Sequence, residues 1–137
     1  MPEAPATNRI LFVDDEEKSR KYFRMIYRRT FKILIAADGR EALQLFTENR
    51  KEIGVVVTDQ IMPHMTGLDL LGEVESIEPE VIRILSTAYA DSELVAEAAQ
   101  NSLIDYFIVK PWDIERVSPT LEQAVAHFEH NRGAGAV

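Results

Sequence analysis

Cysteine is absent from the 137 residues, which removes disulfide frameworks, thiolate metal sites and cysteine nucleophiles together. Any metal must then be held by oxygen or by the three histidines. Long hydrophobic runs are missing as well: nowhere do the roughly 18 consecutive apolar residues of a membrane span occur. Met1 to Asn8 has neither the basic start nor the apolar core of a secretory leader. A cytoplasmic protein with no membrane partner is expected. Positive charge is also scarce, with 15 Lys and Arg against 23 Asp and Glu and a net charge of −8. Wide contact with nucleic-acid phosphates needs clustered cations to displace counterions, so no direct nucleic-acid partner is expected either.

At 46% hydrophobic residues, the chain can build one core, and a single domain is the expectation. Residues 1–8 are rich in Pro and Ala and 131–137 in Gly and Ala, so disordered ends should flank a domain at 9–130. Short β-branched runs at Arg9–Val13, Lys32–Ala36, Gly54–Thr58, Val81–Leu85 and Tyr106–Val109 are apolar without strict alternation, as in strands buried on both faces. Helical periodicity fills the intervals at Glu16–Arg29, Gly39–Asn49, Gly67–Ser76 and Ser92–Asn101, with a fifth helix from Asp113 to about His130. Pro119 predicts a kink near the start of that helix, unless Ser118 caps a restart. Alternating strands and helices signal a parallel α/β sheet. One basic cluster, Arg20, Lys21, Arg24, Arg28 and Arg29, recurs at helical spacing and reads as a solvated face or a docking patch.

Open parallel sheets bind ligands beyond the carboxyl ends of their strands. The residues there are Asp14 and Asp15, Asp59, Ser86 and Thr87, and Lys110. Three carboxylates at one edge repel one another, and oxygen ligation of a hard dication, above all Mg2+, relieves the repulsion. Lys110 adds a mobile point charge and Thr87 a hydroxyl. Together they supply a carboxylate nucleophile, a cation and donors for phosphoryl oxygens, the parts that phosphoryl transfer needs. Each piece has a plainer reading: the Asp-Asp pair as a helix cap, Thr87 as a capping hydroxyl, Lys110-Pro111 as a loop and Asp59 as the start of a turn.

The sequences Ile10–Glu16, Asp59–Gly67, Leu85–Ala88 and Phe107–Pro111 resemble those of response-regulator receiver domains, and the resemblance runs over about residues 8 to 130. It implies a flavodoxin-like, doubly wound sheet of five parallel strands in the order 2-1-3-4-5, with five helices. It further implies Asp59 as phosphoacceptor, with Mg2+ held by Asp15, Asp59 and the backbone carbonyl of Ile61, and by Asp14 through water. Thr87 and Lys110 then bind the phosphoryl group, and Phe107 is the aromatic that swings inward with Thr87, or else a plain core residue. The implied partners are a histidine kinase or phosphotransfer protein, and an output domain or effector at the surface of the fourth helix, fifth strand and fifth helix; the family also admits a homodimer. Such a chain is a signalling switch that catalyses only its own phosphotransfer and dephosphorylation. It is either free-standing or part of a longer protein.

Ile61 and Tyr89 occupy positions that border the path of the attacking water in that family, and Gln60 is assigned no role. Tyr89 and Tyr106 otherwise read as half-buried packing residues. Trp112, after Lys-Pro, resembles receivers joined to enhancer-dependent regulators or to signalling enzymes, and otherwise reads as an anchor for the last helix. His64, His127 and His130 lack metal-ligand spacing. Two other readings compete. A phosphatase resembling the haloacid dehalogenases needs a second aspartate two residues after the nucleophile, where this chain has Ile61. A receiver-like interaction module that takes no phosphate would not need the full set of Asp14, Asp15, Asp59, Thr87 and Lys110.

Overall fold

The computed structural model describes residues 9–88 and 92–135. The expected disordered start at 1–8 and Tyr89 lie outside them. The elements, in chain order, are β1 (Arg9–Val13), α1 (Glu17–Tyr27), β2 (Lys32–Ala36), α2 (Gly39–Asn49), β3 (Ile53–Asp59), α3 (Gly67–Ile77), β4 (Ile82–Thr87), α4 (Glu93–Gln100), β5 (Tyr106–Val109) and α5 (Ile114–Gly135). All five strands are parallel and form one sheet in the order β2-β1-β3-β4-β5. This is the doubly wound order expected from the sequence.

The apolar strand sequences follow from burial on both faces. Ile10 to Val13, Val55 to Val57 and Ile84–Leu85 are all buried, and helices supply Phe23, Phe46, Leu70, Leu71, Leu121 and Phe128 against them. Short polar side chains set the helix starts: Asp38 accepts from the Glu41 N–H, Ser92 from the Val95 N–H, and Thr66 forms a reciprocal capping box with Asp69. α1 stops at Tyr27, two residues before the predicted end, because the N–H groups of Thr30 and Phe31 both turn back to the Tyr27 carbonyl.

The fifth helix differs most from expectation. It runs unbroken from Ile114 through Pro119 to Gly135, five residues past the predicted end at His130 and into the segment expected to be disordered. Two contacts hold this extension: Asn131 donates to the Glu80 carbonyl at 3.3 Å, and the Arg132 guanidinium lies 5.8 Å over the Phe128 ring. Ser118 caps nothing. Its hydroxyl meets the Tyr27 hydroxyl at 2.9 Å, and Asp113, whose carboxylate accepts from the Glu115 N–H, opens the helix instead.

Candidate functional site

The sheet delivers its acids to one edge. β1 ends at Val13 and β3 at Asp59, and the register pairs Val13 with Thr58 and Asp59 with Ser86. Asp14 and Asp15 therefore emerge beside Asp59, and one carboxylate oxygen from each of the three lies within 4.8 Å of the others. Asp14 is buried, Asp59 is half-buried and Asp15 is exposed. The Asp-Asp pair is not the cap of α1: that position is Glu16, which makes no side-chain cap. One Asp14 oxygen accepts from the Glu16 N–H at 2.9 Å, and the other faces Lys110.

Lys110 comes from the far side, just after β5. Its ammonium lies 3.2 Å from Asp14 Oδ2 and 3.3 Å from Asp59 Oδ2. Burial pushes the Asp59 carboxyl above its ordinary range and the Asp14 charge adds to the rise, while Lys110 and the Gln60 N–H pull it down without cancelling it. Burial acts to lower Lys110, but the carboxylates of Asp14 and Asp59 outweigh it and leave the ammonium above its usual value. One ammonium thus faces three carboxylates. The uncompensated negative charge and the oxygen-only donor set fit a hard dication such as Mg2+.

Thr87 is buried at the end of β4, and its carbonyl accepts from the Lys110 N–H at 3.1 Å. Phe107 is half-buried, packs against the core and pairs with Leu85 in the register. Position 61 is Ile, 66% exposed, so no carboxylate stands two residues beyond Asp59 and the dehalogenase-like arrangement is missing. The three histidines take no part in any metal-type cluster among the described residues.

Four further residues support the site, and of these only Gln60 is assigned no role by the sequence. Gln60 donates its backbone N–H to Asp59 Oδ1 and accepts from the Leu68 N–H through its side chain, both at 2.9 Å. Its own carbonyl takes the Gly67 N–H at 3.0 Å. Gly67 is needed there because a Cβ would collide with the Asp59 carbonyl. Arg20 donates to the Asp14 carbonyl at 2.8 Å, which separates it from the rest of the basic cluster. Trp112 secures the β5–α5 loop against β1 and α1: it packs edge-on to Phe12 and Phe23, stacks on Tyr22 at 6.3 Å and donates its indole N–H to Ser86 at 3.1 Å. Tyr106 packs edge-on against His127, with its hydroxyl 3.2 Å from Nδ1.

The response regulator receiver domain matches residues 10–122. Among curated proteins, the chain is 34% identical over 116 residues to the hydrogenase transcriptional regulatory protein HoxA of Cupriavidus necator, covering 85% of this chain and 24% of that protein. It is 36% identical over 121 residues to the regulatory protein AtoC of Escherichia coli, covering 88% and 26% respectively. The chain therefore spans about a quarter of the length of these relatives. Among solved structures, the signal receiver domain of an HD domain-containing protein from Pseudomonas fluorescens superposes with a TM-score of 0.86 at 28% identity, covering 97% of both chains. The response regulator TrrA of Thermotoga maritima, solved in complex with Mg2+ and BeF, gives 0.72 at 28% identity and covers 85% of this chain and 97% of that one.

Proposed function

The chain belongs to the response regulator receiver domain family, and on that premise we propose that it is a phosphorylation-activated switch whose phosphoacceptor is Asp59. The carrying observation is the carboxylate of Asp59 at the end of β3, backed by Asp14 and Asp15 and touched by the Lys110 ammonium at 3.3 Å. A phosphohistidine on a histidine kinase or phosphotransfer protein is the donor. An Asp59 oxygen attacks phosphorus, an O–P bond forms as the N–P bond breaks, and the imidazole leaves with a proton, giving an acyl phosphate that water later hydrolyses.

Asp15, Asp59 and the Ile61 carbonyl would hold Mg2+, with Asp14 acting through water. When bound, the ion supplies positive charge against the phosphoryl oxygens. Lys110 sits where it can pass from its two carboxylates to a phosphoryl oxygen, and Thr87 offers a hydroxyl from the neighbouring strand. Drawing Thr87 toward the phosphoryl group frees volume for Phe107, which alters the surface of α4, β5 and α5. Leu94, Val109 and Ile114 leave that surface with exposed apolar side chains, 59%, 56% and 41% accessible, as suits a face read by an output domain or effector protein, or by a second copy of the chain.

Acetyl phosphate with Mg2+ should add one acid-labile phosphoryl group to the wild type and none to Asp59→Asn, read by intact mass. Equal labelling of the two proteins removes Asp59 from the role.

A further inference from the structure

The end of the molecule opposite Asp59 carries a feature that phosphoryl chemistry does not use. A concavity of about 460 Å³ lies between the end of α1 and the start of β2, lined by Arg9, Arg24, Arg28, Lys32, Ile33 and Leu34 among others. Four cations thus converge in a protein of net charge −8. Arg9 is engaged by Glu52 and Asn49. Arg24, Arg28 and Lys32 form no ion pair with the described residues, and all three are exposed.

We propose that this groove docks an extended acidic segment of a protein partner, which joins the sheet as a further strand outside β2. β2 is an edge strand, so its outer backbone groups pair with no other strand among the described residues, and such edges accept extended peptides through main-chain hydrogen bonds. Ile33, Leu34 and Ile35 are half-buried, which leaves apolar surface to cover. The charges set the choice of partner. Lys32 on an open edge discourages indiscriminate pairing, and with Arg24 and Arg28 beside it the edge selects for carboxylates and against basic or neutral strands.

Complementing the carbonyl end of α1 explains a cation in its last turn. It does not explain three that converge on a strand edge. Nucleic acid fits less well, because an acidic molecule with one short basic groove cannot follow a run of phosphates. In an added strand, alternate side chains face α1, so glutamates at every second position would meet Arg24 and Arg28 while the others point to the opposite face of the sheet. Asp59 ends β3, two strands in from β2, about 10 Å at the usual spacing between strands, and a strand added outside β2 lies on the far side of β2 from it. Docking therefore leaves Asp59 free.

The test is amide NMR on the full chain, titrated with a blocked hexapeptide alternating glutamate and valine. Saturable shifts at Ile33, Leu34 and Ile35 are expected, and the affinity should fall several-fold as ionic strength rises past the point where the Debye length drops below about 8 Å. Arg24→Glu combined with Arg28→Glu should abolish the shifts, Arg28→Gln should weaken binding several-fold, and a glutamine-valine peptide should not bind. Loading of Asp59 by acetyl phosphate verifies that both variants fold. Silence at β2, shifts that survive charge reversal, or a duplex oligonucleotide that binds these cations while the hexapeptide does not would each overturn the proposal.

Discussion

Replacing Arg83 with Met tests how far one buried cation holds the lower half of the sheet. Arg83 lies inside β4, its side chain is 7% exposed, and its guanidinium serves several separate segments. Nε donates to the Leu103 carbonyl at 2.9 Å, and the terminal nitrogens reach the carbonyls of Pro79, Val81 and Ser102 at 3.1, 3.0 and 3.1 Å. Glu75 and Asp105 stand 3.4 and 3.9 Å away and balance the charge. Met conserves much of the volume but donates nothing, so four carbonyls lose their partner and two carboxylates lose their counter-charge. Hydrogen bonds from a charged group are worth about 1.5–3 kcal/mol each and are not additive. Breaking a buried charge pair from one side costs about 3–5 kcal/mol, which is the expected loss. With an unfolding entropy near 2.1 cal/mol/K per residue, the midpoint should fall by roughly 10–17 °C. Arg83→Lys should recover only part of this, since a point charge cannot span the fork. Thermal and urea unfolding give the answer, and acetyl phosphate loading of Asp59, measured where the variant is folded, should be unchanged. A loss below about 1 kcal/mol would mean that water replaces the guanidinium at little cost, and the clamp would not hold the fold.

Asp15→Asn should bind Mg2+ at least several-fold more weakly than wild type in calorimetric titration; equal affinities would remove Asp15 from the ligand set. Because the folded chain holds the Asp59 carboxyl above its ordinary value, ionising it costs stability, and the cost appears as pH rises from the usual carboxylate range through the raised value. In chelator, Asp59→Asn should therefore gain stability over wild type across that interval and keep the gain at neutral pH. A difference in urea midpoint that does not change with pH refutes this. Ile61→Asn should speed the decay of the phosphorylated protein several-fold, because a bulky exposed side chain beside the site crowds the in-line water; unchanged or slower decay counts against the crowding. Beryllofluoride with Mg2+ should shift NMR signals at Phe107 and along α4, and changes confined to the surroundings of Asp59 would sink the switch.

The sheet was legible because each strand is a mostly apolar run, and burial on both faces leaves such runs no other place. The acidic edge was legible because parallel topology puts every strand end on one side, so residues far apart in sequence fall together. Arg83 was hidden by the same rule. It occupies one position of an apolar run and looks like a tolerated exception, since its carbonyl partners belong to backbone and have no residue signature. Trp112 was legible as an anchor and Ser86 as a strand-end residue, but their bond was not, because a hydrogen bond between β4 and the β5–α5 loop depends on strand spacing and not on either residue alone. The end of α5 was missed for a compositional reason: Gly and Ala after Arg132 read as a tail, while the helix is held by Asn131 on Glu80 and Arg132 on Phe128.

The close seat of Gly67 under the Asp59 carbonyl fixes a direction as well as a position. On that side, the first turn of α3 is riveted to Asp59 through the Gly67 and Leu68 N–H groups and Gln60, with no gap left for a methyl group. Any shift of Asp59 toward α3 would have to carry the helix along. On the other side stand Lys110, whose ammonium rests on two carboxylates by ion pairs alone, and Phe107, only half-buried. The molecule thus has an anvil and a free arm, and in the proposed switch a load placed on Asp59 moves the arm. Under that proposal, substituting Gly67 with Ala would loosen the anvil, and part of a displacement started at Asp59 would be lost into α3.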